Sequence, residues 1–128
     1  MSKIAFFLLC VIISEAVFSQ VNSVVIYPND NALNSSNNEY LIEAELKDSY
    51  TFNLLQLQEN ISKGQRVGYF VFEIWNNGNW QKIAEGTTIG YERIVPFNSV
   101  AARKVWLRIL SSRLEPNIAE MGLFFYGG

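Results

Sequence analysis

The sequence contains no histidine, and its single cysteine is Cys10. The first absence removes the commonest metal ligand and the commonest general base near neutral pH. With one cysteine the chain can close no disulfide on itself, so its fold must rest on its core. Charged residues make up 17% of the chain and the net charge is −2, with no basic patch, which argues against nucleic acid as a partner. After the first twenty residues no stretch carries the 3.6-residue apolar period of a helix.

These shortages narrow the chemistry. Without histidine a nucleophile–base pair is hard to build, and a zinc site lacks ligands. Gly86 and Gly90 punctuate strand-like segments and do not open a helix, so a phosphate-binding loop is not supported. Glu43, Glu45, Glu59, Glu73, Glu85, Glu92 and Glu120 lie on or beside expected strands. Nothing in their spacing brings two of them to the roughly 5–10 Å separation of a glycosidase pair. Calcium needs only oxygen ligands, for which Asp30 and Asp48 are candidates, but no spacing recommends them. No cofactor is implied.

Residues Met1 to Ser19, MSKIAFFLLCVIISEAVFS, carry one cation, an apolar run from Ile4 to Ile13 and small residues at the end. That is the layout of a secretory signal peptide cut before Gln20, with Val17 and Ser19 at the −3 and −1 positions. The run is too short to span a bilayer comfortably, so no membrane association is expected after cleavage. The product is expected to be secreted or periplasmic. Cys10 lies inside the signal, leaving none after cleavage.

What remains is rich in aromatics, 14% of the chain, and they fall on alternating segments. VNSVVIY, residues 21–27, reads as a short strand, and 28–38 as a polar linker. Asn34 and Asn60 each begin an Asn-x-Ser triplet, the pattern of an N-glycosylation acceptor. Residues 39–128 read as one all-β domain. Tyr40 to Leu46 and Thr51 to Glu59 are strands, the latter with Leu55 and Leu57 on one face. Arg66 to Trp75 places Phe70, Phe72 and Ile74 opposite Tyr69, Val71, Glu73 and Trp75. Asn76-Asn77-Gly78-Asn79 marks a tight hairpin, and Trp80 to Glu85 returns. Thr87 to Val95 follows, ended by Pro96 and Asn98. Lys104 to Leu110 alternates, and Ile118 to Tyr126 closes the chain. About eight strands with turns near every tenth residue predict a single β-sandwich of jelly-roll type. Trp106, between Val105 and Leu107, and Trp80 are read as core; Trp75, beside the hairpin, as partly exposed.

Three ordered motifs then suggest a family. F-N-x-L-x-L-x-E-x-I-x-x-G-Q-R stands at Phe52, Asn53, Leu55, Leu57, Glu59, Ile61, Gly64, Gln65 and Arg66. G-T-T-I-G-Y-x-R runs from Gly86 to Tyr91 with Arg93. S-R-x-x-P-x-I-x-E-x-G stands at Ser112, Arg113, Pro116, Ile118, Glu120 and Gly122. Over residues 39 to 126 the chain resembles the C-terminal domain of α-L-fucosidases of glycoside hydrolase family 29. The resemblance implies a galactose-binding or discoidin-type sandwich, related to factor 5/8 type C domains. In that family the catalytic carboxylates sit in a (β/α)₈ barrel, which takes about 200 residues or more. No catalytic residue carries over, and the chain is expected not to be an enzyme by itself. The F-type lectins bind fucose through a His and an Arg-x-Asp motif, and this chain has neither.

Two functions follow. One is an exported accessory domain binding carbohydrate weakly through end loops, with Trp75, Asn76, Asn77, Tyr91, Arg93 and Arg113 as candidates. Aromatic faces and planar donors are what a sugar face and its hydroxyls need. The other is a structural remnant, or a truncated fucosidase, whose domain packs on a glycoside hydrolase barrel. The partner is then either carbohydrate or that barrel.

Overall fold

In a computed structural model, residues 23–28, 33–36 and 39–127 are described, 33–36 by backbone alone. The expected signal peptide and Asp30 lie outside them. The described chain is all β apart from a 3₁₀ turn at Ile61–Lys63. Its strands are β1 (Ser23–Ile26), β2 (Leu33–Ser36), β3 (Glu39–Glu59), β4 (Val67–Asn76), β5 (Asn79–Gly86), β6 (Arg93–Ser112) and β7 (Ile118–Phe124). All pair antiparallel in the order β1-β7-β3-β6-β4-β5, with β2 added to β3.

One continuous ladder makes a sandwich because β3 and β6 each serve both layers. The first half of β3 pairs with the second half of β6, Tyr40 to Glu45 against Ile109 to Lys104, beside β4 and β5. The second half of β3 pairs with the start of β6 and with β7, which carries β1. Register shifts at Glu45/Tyr50 and Phe52/Leu54 mark the crossing. Such bulges bend a strand and exchange its faces. The buried residues of β3 accordingly switch from Ile42, Ala44, Leu46, Tyr50 and Phe52 to Leu55, Leu57 and Glu59. Phe72 on β4 fills the fold between the layers. Its ring lies 6.3 Å from Phe52 and 5.9 Å from Phe97.

The β-sandwich expected from the sequence is therefore present, with its strands divided differently. The two strands expected at 40–46 and 51–59 are one. Pro96 does not end a strand but sits inside β6, opposite Leu54. It is tolerated because the start of β6 pairs only with β3, so the missing N–H faces an open edge. Residues 87–92 form turns and bends, not the start of the strand expected over Thr87 to Val95. Leu33–Ser36, read as linker, forms a hairpin with Glu39–Ile42. The strand expected at 21–27 is β1, whose Val24 and Ile26 enter the same core.

Candidate functional site

The six residues singled out in the sequence lie at opposite ends of β4. Trp75, Asn76 and Asn77 stand at its far end, on the hairpin. Asn77 (φ 53) and Gly78 (φ 82) both hold positive φ, the backbone of a type I′ turn. Asn76 donates to Gln81 Oε1 at 3.1 Å. These two asparagines are fully accounted for by the turn. Val67 begins β4 roughly 30 Å away, at about 3.3 Å per residue. Tyr91, Arg93 and Arg113 cluster at that end.

What gathers that end is Glu59, which ends β3 and is 3% exposed. Its Oε1 accepts from the backbone N–H of Arg66 (2.8 Å) and Val67 (3.3 Å), and its Oε2 from that of Gly90 (3.0 Å). The Glu59 N–H donates to Gly90 O at 3.0 Å, closing a two-way link. Gly90 has φ 68, a conformation that favours glycine. Asn60 N–H reaches Asn117 O (2.9 Å), and Arg113 N–H reaches Arg66 O (2.9 Å). The three motifs 52–66, 86–93 and 112–122 thus meet in space: the buried Glu59 carboxylate joins the first two, and backbone hydrogen bonds bring in the third. Glu59 was not among the candidates; its place in the first motif was the only sequence signal for it.

Above this anchor opens a cavity of about 570 Å³, lined by Gln65, Arg66, Thr88, Ser111, Ser112 and Arg113, with Val67 and Gly68 at its base. Arg66 Nη1 donates to Glu115 O (2.8 Å), Arg113 Nη2 to Gln65 O (3.1 Å) and Arg93 Nη1 to Thr88 O (2.8 Å). Arg93 also lies over the Phe70 ring, 5.9 Å from its centroid. Tyr91 is 70% exposed, and of the six candidates Arg113 alone lines the cavity.

The tryptophans form a separate feature. Trp80 and Trp106 do not enter the core as expected. They stack on each other outside the first layer, 3.8 Å apart and nearly parallel. Trp75 meets Trp80 edge-on at 5.3 Å and holds Lys104 over its ring. Alternation places them there: Val105, Leu107 and Ile109 fill the inner face of β6, so Trp106 must point outward. Its indole N–H donates to Glu73, which also faces Arg108 at 3.4 Å. Burial opposes the charge on Arg108, but the hydrogen bond to Glu39 and the field of Glu73 outweigh it and raise its pKa.

On the same face the Tyr69 hydroxyl donates to Glu85, which Lys82 also contacts at 3.2 Å. The hydrogen bond to Glu85 raises the Tyr69 pKa, and the same bond with that from Lys82 lowers that of Glu85. Tyr69 is therefore expected to ionise at higher pH than a free tyrosine, and Glu85→Gln to bring that titration back down. An ultraviolet titration of wild type against variant checks it. No difference between the two would show that the bond is not held in solution.

Among the described residues no group of three or more His, Cys, Asp or Glu side chains could hold a metal, and Asp48 stands exposed in the β3 bend. No described helix is long and apolar enough to cross a membrane.

No family model matches the chain. Alpha-L-fucosidase 1 of Arabidopsis thaliana is 36% identical to it over 90 residues, 68% of this chain and 18% of that protein. The chain is homologous to part of the α-L-fucosidases. Structure agrees: a glycoside hydrolase 29 family member from an unknown rumen bacterium matches with a TM-score of 0.63 and 30% identity, over 77% of this chain and 19% of that one. The chain spans less than a fifth of the length of the α-L-fucosidases it matches among curated relatives. The fold also occurs in a chitosan-binding module derived from a chitosanase/glucanase of Paenibacillus sp. IK-5. There the TM-score is 0.58 at 15% identity, over 79% of this chain and 75% of that one.

Proposed function

We propose that the chain is a non-catalytic accessory domain, the counterpart of the C-terminal discoidin-like module of α-L-fucosidases, and that it binds carbohydrate at the Glu59 end. The observation that carries this reading is the convergence of three separated motifs, two on the buried Glu59 carboxylate and the third through backbone hydrogen bonds, beside an open cavity lined by polar and charged residue types. Loops held on a rigid sheet are where binding residues concentrate. Serine, threonine and glutamine side chains beside two guanidinium groups suit a hydroxyl-rich ligand. The non-catalytic reading is supported by the two buried carboxylates. Glu59 is committed to backbone N–H groups, and Glu73 to Trp106 and Arg108. Neither is free to act as an acid or base. Export by the expected signal peptide would bring such a module to extracellular or periplasmic glycans.

Thermal unfolding with and without sugars tests the proposal. A ligand at about ten times its Kd stabilises the folded state by about 1.4 kcal/mol. That corresponds to a rise in Tm of roughly 5 °C for a domain near this size. Such a rise with millimolar fucosylated or galactosylated oligosaccharide is the expected result. A transition unmoved by every glycan would reject the binding reading.

A second reading has its own observation. Outside the other layer, Leu54, Ile94, Phe124 and Tyr126, with Gln58, Glu92 and Glu120 among them, border a depression of about 370 Å³, with Ile94 47% and Tyr126 73% exposed. Gln56 lies 5% exposed in its floor, its Oε1 without a partner. That surface suits packing against a further domain, such as a catalytic barrel.

A further inference from the structure

The five arginines fall into two groups. Arg103 and Arg108, on the body of β6, face carboxylates: Glu45 at 3.6 Å for the first, Glu39 at 3.2 Å and Glu73 at 3.4 Å for the second. Arg66, Arg93 and Arg113, all at the Glu59 end, donate their hydrogen bonds to backbone carbonyls, with Arg93 also over the Phe70 ring. Among the described residues no carboxylate pairs with any of the three. No side-chain bond joins Glu59 to them: its oxygens accept three backbone N–H groups.

A carbonyl fixes a guanidinium without cancelling its charge. Each guanidinium has five N–H donors, and the bonds to Glu115 O and Gln65 O use one apiece on Arg66 and Arg113. The Nε of Arg66 is buried with no partner. Both side chains line the cavity, beside the hydroxyls of Thr88, Ser111 and Ser112. Two pre-positioned planar cations with spare donors match the geometry of a carboxylate or sulfate oxyanion.

We propose that the sugar taken by this cavity carries an oxyanion, a uronic carboxylate or a sulfate ester, seated between Arg66 and Arg113. The inference rests on the carbohydrate-binding reading and adds the charge of the ligand to it. Neutral hydroxyls fill the remaining contacts to Thr88, Ser111 and Gln65.

Titration calorimetry decides it, with three probes of equal length: an oligogalacturonate, a sulfated galactan oligosaccharide and a neutral galactan oligosaccharide. At low salt one of the two charged probes is expected to bind about tenfold or more tighter than the neutral one, the advantage shrinking as salt rises. Whichever charged probe is preferred identifies the oxyanion. Arg113→Gln should remove the preference. Arg103→Gln, which deletes the same charge far from the cavity, should leave it. Should Arg113→Gln fail to fold, Ser111→Asp makes the same test by placing a fixed carboxylate in the cavity wall, and is expected to abolish binding of the charged probe. Equal affinity for all three probes would overturn the anionic ligand while leaving carbohydrate binding intact. No binding of any probe would overturn the anionic ligand, and the thermal melts with fucosylated glycans then decide carbohydrate binding separately.

Discussion

Glu59→Ala is expected to lower stability by about 3–5 kcal/mol. The residue is 3% exposed and its carboxylate holds the N–H groups of Arg66, Val67 and Gly90. Hydrogen bonds to a charged partner contribute about 1.5–3 kcal/mol each, and a buried donor left empty costs about 1–3 kcal/mol. Full additivity would give more, but the loops can partly open to water and recover some of it. At about 4 °C per kcal/mol for a domain of this size, the fall in Tm is roughly 12–20 °C. Glu59→Gln keeps one acceptor oxygen and turns an NH₂ toward an N–H donor. It should fall between, at about 2 kcal/mol.

The same substitution separates two roles that stability alone would merge. If Glu59 is only a stabilising contact, the variant should bind sugars normally at temperatures well below its lowered midpoint. If it is the anchor that brings 65–66, 88–90 and 111–113 together, affinity should fall even where the protein is fully folded. Amide hydrogen exchange at Val67 and Gly90 reports the release directly, since local opening exposes those N–H groups before the sheet melts. A variant that melts within about 1 kcal/mol of wild type would show that Glu59 is not what holds this end.

The sequence revealed the strands wherever one side of the ladder is apolar. Phe70, Phe72 and Ile74, and again Val105, Leu107 and Ile109, alternate cleanly, and both runs are strands with those residues buried. Asn77-Gly78 marked its turn because few other residues accept those φ values. The crossing of β3 and β6 between layers was hidden. Lys47, Asp48 and Ser49 are polar and look like a break, yet backbone pairing continues around them through a bulge. Pro96 looks like a strand end because propensity knows nothing of edges. The tryptophans were misplaced for a related reason: alternation gives two faces but not which one meets water, and Trp106 finds a stacking partner and an acceptor outside. Likewise, no local pattern shows that Glu59 reaches Gly90, 31 residues on. That contact exists only once both layers are closed.

Phe72→Ala tests that closure. Phe72 is fully buried and stands between Phe52, where β3 crosses, and Phe97, where β6 crosses. Truncating a buried Phe to Ala costs about 3–5 kcal/mol, transfer and cavity together. Aromatic pairs add about 0.5–1.5 kcal/mol each beyond area. The expected loss is therefore at the upper end, about 4–5 kcal/mol, a large share of the roughly 5–15 kcal/mol that holds a typical domain. Trp106→Ala provides the contrast. It removes a larger ring, but one only partly buried on the outer face, and should cost about 1–3 kcal/mol through its stack with Trp80 and its bond to Glu73. Denaturant melts of both variants, compared at equal m-value, give the order. The larger ring costing less is what a core lying between two layers requires. The reverse order would mean that the tryptophan face is itself covered in solution, and that the domain buries its outer surface against a partner.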